Sequence, residues 1–373
     1  MKRVVLHLPL LAVIVAAMVI GILAGLARLG IEMPTLAMER IVLHGPILVA
    51  GVLGTLIALE RAVAMRTVMG QRWTWADAAP ILSGAGTILL LVNGATVPAV
   101  GLLTLGAAGL LLVNLAMLRR HPTLDVLTMT LGAGFLLLAD AAWLTERPVA
   151  LLTPWWIAFL VLTIAGERLE LAKMRAHGPR AQRTFVVTVA IYIAALLFMV
   201  VDASLGVRLS GIGMLALTAW LFRFDIAIVT IRRPGLPRFV AACLLAGYVW
   251  LAIAGLIAIG AEQIWSGLAY DAFLHAALLG FVFSMIFGHA PIIVPAILEG
   301  PVSFHPIAWF PLVLLHVSVA SRIVADLITD QGLRQTAGIL SAIAIALYGG
   351  VIVLSVLQGR TRSKAPRSGS VAT

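Results

Sequence analysis

The sequence predicts an all-α fold, a polytopic membrane bundle of about 12 transmembrane helices with both termini cytoplasmic. Three observations predict it. Of 373 residues, 62% are hydrophobic and only 11% charged, whereas a soluble domain carries about 25% charged residues; the mean hydropathy is +1.08. The apolar residues fall in about a dozen runs, each near the ~20 residues that a helix needs to cross a bilayer core. The basic residues gather on alternate connections. One side holds only Arg28, Arg40, Arg147, Arg208, Arg322 and Arg334, and the other takes the rest. That bias is the positive-inside signal. It also accounts for the net charge of +10 without nucleic acid as a partner.

The runs lie at roughly 5–28, 43–65, 76–94, 96–118, 123–144, 149–171, 184–203, 206–231, 238–261, 269–297, 305–328 and 335–358. The first follows Met1-Lys2-Arg3 but exceeds the 7–15 residues of a signal-peptide apolar region, so it is read as a retained helix. The second opens on His44 in "LHGPILVAG" and ends "IALERAVAMR" (57–66). Asp140 sits at depth in the fifth. The sixth ends "IAGERLELAK" (164–173), and the eighth carries Arg223 and Asp225 in "AWLFRFDIAIV". The single cysteine, Cys243 in the ninth, excludes an intramolecular disulfide. The tenth, "FLHAALLGFVFSMIFGHAPIIVPAIL" (273–298), holds His275 and His289 and then Pro291 and Pro295, where a kink that frees backbone carbonyls is expected. His316 is midway along the eleventh. No hydrophilic linker divides the chain. Residues 1–358 read as one transmembrane domain and 359–373 as a disordered cytoplasmic tail.

Ile-Ala-x-Glu-Arg occurs at the ends of the second and sixth runs, and "IFGHAP" (286–291) can be laid over the second copy. This faint echo suggests a threefold repeat of a four-helix unit. It places Glu60, Glu167 and His289 at equivalent depth.

Ionisable groups at membrane depth are costly and mark functional sites by default. Fourteen residues are almost four turns, so an α-helix would carry His275 and His289 on one face about 21 Å apart, too far for one ion. They therefore belong to two sites. His44 and His275 both lie at the outer ends of inward-running helices, at similar height. Two imidazoles from facing helices at one height suit a six-coordinate haem b, with Arg223 beside an acidic group of the cofactor. The plainer reading makes His44 a helix cap and His275 a donor to a carbonyl. The deeper site collects His289, Glu60 and Glu167, with His316 approaching from the eleventh helix. A mixed Glu/His set suits iron or copper, a proton relay is the other use, and the plainer reading is a set of interfacial ion pairs.

Histidines on the second and tenth of twelve helices resemble the haem-copper oxidase catalytic subunit, whose same two helices supply haem ligands within a threefold plan. The runs at 149–171 and 184–203 contain no histidine for its copper site, and the fourteen-residue spacing differs from that family's, so its binuclear centre is not expected. "HGPILVAGVLGTLIALERA" (44–62) and "HAALLGFVFSMIFGH" (275–289) are similar to the histidine-led, glycine-spaced helices of NnrS-like membrane proteins. Those are haem- and copper-associated and linked to nitric oxide tolerance. The resemblance implies His44, His275, His289 and His316 as haem or metal ligands. The expected function is then a haem- or metal-binding, multi-pass protein of the cell inner membrane that handles nitric oxide or transfers electrons. Its expected partners are the lipid bilayer and a small gaseous ligand or redox partner. The alternatives are a proton- or ion-coupled transporter and a structural membrane protein without cofactor.

Overall fold

The structure is a computed structural model that describes residues 4–70, 74–172, 178–261, 264–298 and 304–364. Among them no strand occurs, and 12 helices are long and apolar enough to cross a membrane. We label them α1 (Val4–Arg28), α2 (Ile41–Met69), α3 (Trp75–Asn93), α4 (Val97–Arg120), α5 (Leu124–Leu144), α6 (Val149–Ala172), α7 (Pro179–Phe198), α8 (Ala203–Phe224), α9 (Leu236–Gly260), α10 (Gly267–Pro295), α11 (Pro306–Ile328) and α12 (Gln331–Gln358). The all-α, multi-pass expectation holds. Basic residues used to orient the bundle, among them Lys2, Arg3, Arg72, Lys173 and Arg175, lie outside the described residues, as does the end of the tail at 365–373. Helix continues from α12 to Lys364, past the predicted boundary at 358.

A bilayer interior offers no water to backbone groups, so helices that satisfy their own hydrogen bonds are what these apolar runs can form. Sequence neighbours pack as antiparallel pairs, as short connections require. α6 is the central strut: 78% of its most apolar stretch is buried, and the consecutive residues Trp156, Ile157, Ala158 and Phe159, which point to all sides of the helix, are all enclosed. A helix that is apolar all round belongs in such a position. Helices α8 and α9 meet backbone to backbone. A Cβ on Gly211 would lie 2.5 Å from the Gly255 carbonyl oxygen, and one on Gly255 would lie 2.8 Å from that of Gly211. Without a hydrophobic drive between helices in lipid, small residues that permit this approach hold the pair.

Two helices depart from expectation. The eighth run was expected to continue to 231, but α8 stops at Phe224. Asp225 adopts an extended backbone (ψ 147), and its carboxylate accepts the Ala227 N–H at 2.6 Å, which starts the separate short helix Ala227–Thr230. The side chain thus offers the backbone an alternative to continuing the helix. Along the tenth run the helix passes both Pro291 and Pro295 and continues to Leu298. Pro291 cannot donate to the carbonyl of Phe287, four residues earlier. The Tyr348 hydroxyl of α12 donates to that carbonyl instead, and its ring stacks on Phe287.

The α8–α9 contact yields a test. Gly255→Val forces the two backbones apart and is expected to destabilise the detergent-solubilised protein by about 1–3 kcal/mol, read as a lower thermal midpoint. Gly260→Val, at a position where a Cβ meets nothing within 4 Å, should leave the midpoint unchanged.

Candidate functional site

One end of the bundle encloses a cavity of about 500 Å³, walled by α1, α2, α6, α10, α11 and α12. Its size is that of a small-molecule or cofactor site. Ile22, Leu48, Leu274 and Leu278 give it an apolar body. His44 and His275 both line it. The two imidazoles expected at similar height thus line one and the same cavity.

The backbone fixes both rings. His44 Nδ1 lies 3.1 Å from the Ile41 carbonyl oxygen, and His275 Nδ1 lies 2.7 Å from that of Asp271. A carbonyl only accepts, so Nδ1 carries the hydrogen and Nε2 keeps its lone pair. Neither Nε2 has a hydrogen-bond partner among the described residues. This is the state of a metal-ligating imidazole, whose second nitrogen is held by a carbonyl or carboxylate. The carboxylate is present too: Asp271 Oδ2 is 3.4 Å from His275 Nδ1.

Each histidine stands just before a distorted stretch. Helix α2 is π-helical over Ile47–Leu53, and α10 over Ala276–Phe283. Such wide turns are rare and recur at functional sites. The second one lies between His275 and His289 and breaks the regular register that would have put both on one face. His275 looks into the cavity, whereas His289 reaches Arg168 on α6. Gly280 is central to it: a Cβ there would lie 2.4 Å from the Trp250 ring.

A charged rim borders the cavity. Arg322 grips Asp271 with two hydrogen bonds, Nε at 2.7 Å and Nη2 at 3.0 Å. Arg334 pairs with Asp326 at 2.7 Å and approaches Asp271 at 3.7 Å. Arg28 also lines the cavity and has no ion pair among the described residues. Tyr270 and Thr153 share a hydroxyl–hydroxyl hydrogen bond at 3.0 Å in the wall. Behind the wall, the indole of Trp156 donates to the buried Asp140 at 2.8 Å.

A second polar cluster joins the opposite ends of α2, α6 and α10 to Asp225. Arg61 Nη2 lies 2.8 Å from Glu167 and 3.6 Å from Glu60. Glu167 Oε2 is 3.9 Å from His289 Nε2, and Arg168 pairs with Asp225 at 3.0 Å. So Glu60, Glu167 and His289 do come together, but with guanidinium groups among them. No group of three or more His, Cys, Asp or Glu that could hold a metal ion occurs among the described residues. His316 is not part of the cluster. Its Nδ1 accepts from Trp250 at 2.8 Å and its Nε2 lies 3.4 Å from the Ser284 hydroxyl, so both ring nitrogens are engaged elsewhere. Arg223 is away from the cavity, two residues before Asp225 at the other end of the bundle. It is exposed, with its guanidinium 5.2 Å from the Phe224 ring. The arginines at the cavity are Arg28, Arg322 and Arg334. Sequence reading left them as loop charges because each stands near a helix end. Asp271 was missed as well, although its position four residues before His275 is the spacing that puts two side chains on one helix face.

The rim yields a test. Asp271→Ala strands the guanidinium of Arg322, which is 7% exposed. It is expected to lower stability by about 3 kcal/mol, read as the thermal midpoint. The double variant Asp271→Ala/Arg322→Leu, which leaves no buried charge unpaired there, should recover most of the loss.

No curated protein and no solved structure matches the chain. One family model, described as Domain of unknown function (DUF8744), matches residues 7–357. That match spans nearly the whole sequence, and the chain belongs to this family.

Proposed function

We propose that the protein is a haem-binding membrane protein that carries electrons, with haem b held between His44 and His275. One observation carries this reading: two imidazoles from α2 and α10, each tied through Nδ1 to its own helix backbone, present bare Nε2 atoms to one cavity. The apolar body of the cavity suits a macrocycle, and the Arg28, Arg322 and Arg334 side chains suit its acidic groups. When bound, haem supplies one-electron chemistry. The protein's part is to fix two rings, keep water from the apolar walls, and set the basicity of His275 through Asp271. Were both His44 and His275 to hold the haem, no place would be left for a gas to bind it, which favours electron transfer over nitric oxide handling. The NnrS-like resemblance points the same way on haem, and among the described residues no donor set supports copper. The basic ends of the helices favour a cytoplasmic position for the Glu60–His289 end in a bacterial-type inner membrane. The meeting of Glu60, Glu167 and His289 favours the threefold repeat.

The test is the visible spectrum of the protein purified in mild detergent. A Soret band with about one iron per chain is expected, lost in His44→Ala and in His275→Ala and retained in His316→Ala. A colourless, folded protein that takes up no added haemin overturns the reading. Asp271→Asn, which weakens the carboxylate behind His275, should keep the band and raise the haem midpoint potential.

A further inference from the structure

We propose that His289, Glu167 and Glu60 form a site for one exchangeable proton at the end of the bundle opposite the cavity. Charge is the first ground. Among the described residues, three carboxylates, of Glu60, Glu167 and Asp225, meet two guanidiniums, of Arg61 and Arg168, so acidic groups outnumber basic ones by one there while the imidazole is neutral. A low-dielectric surrounding makes an unbalanced charge costly, and one proton balances it.

Geometry names the landing atom. His289 Nδ1 is 2.7 Å from the Met285 carbonyl oxygen, so it holds the hydrogen and Nε2 holds the lone pair. That lone pair has two neighbours: Arg168 Nη1 at 3.4 Å, which donates to it, and Glu167 Oε2 at 3.9 Å, which can only accept. A proton arriving from water adds to the Nε2 lone pair. The ring then turns from acceptor of Arg168 to donor toward Glu167, and departure of the proton restores the first arrangement. No electron moves in either direction.

Access is graded as an exchange site requires. The side chains of Glu60, Glu167 and His289 are 29%, 21% and 15% exposed, whereas Arg168 and Asp225 behind them are 2% and 0% exposed. The fixed pair anchors the buried side, and the three titrating groups face the surface. Among the described residues, the other ionisable groups around them have their own places. Tyr248 abuts Asp225, Arg66 pairs with Asp77, Cys243 is buried beside Gly288, Tyr348 donates to the Phe287 carbonyl, and Glu170 is exposed.

The site stands apart from the haem reading, and its test does not use haem. Full-length protein labelled with ¹⁵N-histidine in lipid nanodiscs is titrated by NMR, with the His289 signal assigned from its loss in His289→Gln. His289 is expected to change from the Nδ1–H neutral form to the cation on acidification. Glu167→Gln should weaken its proton affinity at least tenfold, Glu60→Gln should act in the same direction, and Glu170→Gln should have no effect. If Glu167→Gln does not fold, Glu60→Gln decides alone. A His289 that stays neutral wherever the protein is folded, or that titrates identically in the Glu→Gln variants, overturns the proposal.

Discussion

A bilayer interior has no water to share, so each polar group within it must be answered by the protein, and this structure answers three of its imidazoles in one repeated way. His44, His275 and His289 each donate Nδ1–H to a carbonyl three or four residues earlier in the same helix. The bond is local and needs no partner helix. It cancels the cost of one ring nitrogen and leaves the other free to act. At the cavity, both free nitrogens border a mostly apolar space. At the charge cluster, the free nitrogen stands between a donor and an acceptor. One device thus serves two kinds of chemistry, and the surroundings decide which.

The surroundings are built from ends of helices. Helix α10 takes part in both sites, with His275 near its start and His289 near its other end. Around the first it meets α2, α11 and α12, with the Asp271–Arg322 pair as the fixed polar anchor. Around the second it meets α2 and α6, with the Arg168–Asp225 pair in the same role. Each site therefore has a buried ion pair behind it and a less buried group in front. Such pairs add little net stability. Their role here is to hold orientation, since Arg322 locks the carboxylate that backs His275 and Arg168 faces Nε2 of His289.

Much of the fold was legible because bilayer thickness dictates run length, and the twelve apolar runs became twelve helices. The meeting of His44 with His275 was legible too, since alternating direction fixes which helix ends share a level. The same rule should have placed Arg223 at the far end, because it closes even-numbered α8, whereas His44 and His275 stand near the starts of even-numbered α2 and α10. It was misplaced because a lone arginine invites a partner. His316 does stand midway along α11, but rotation about the helix axis sent it to Trp250 and Ser284, and rotation is not written in a run of leucine and valine. The stop at Asp225 was hidden because apolar residues on both sides look continuous, while a single carboxylate decides that the backbone turns. The shared face expected for His275 and His289 assumed regular winding over fourteen residues, and nothing in "AALLGFVF" marks the wide turns.

Those wide turns carry one more consequence. A π-helical stretch spends an additional residue within a turn, and removing it would return the segment to ordinary winding. Everything beyond would then swing by about 100° around the axis. In α10 that swing would carry His289 off its neighbours while leaving His275 where it is. The distance along the chain between the two rings, counted in residues, is therefore itself part of the machinery. Insertions and deletions within Ala276–Phe283 therefore cannot be absorbed.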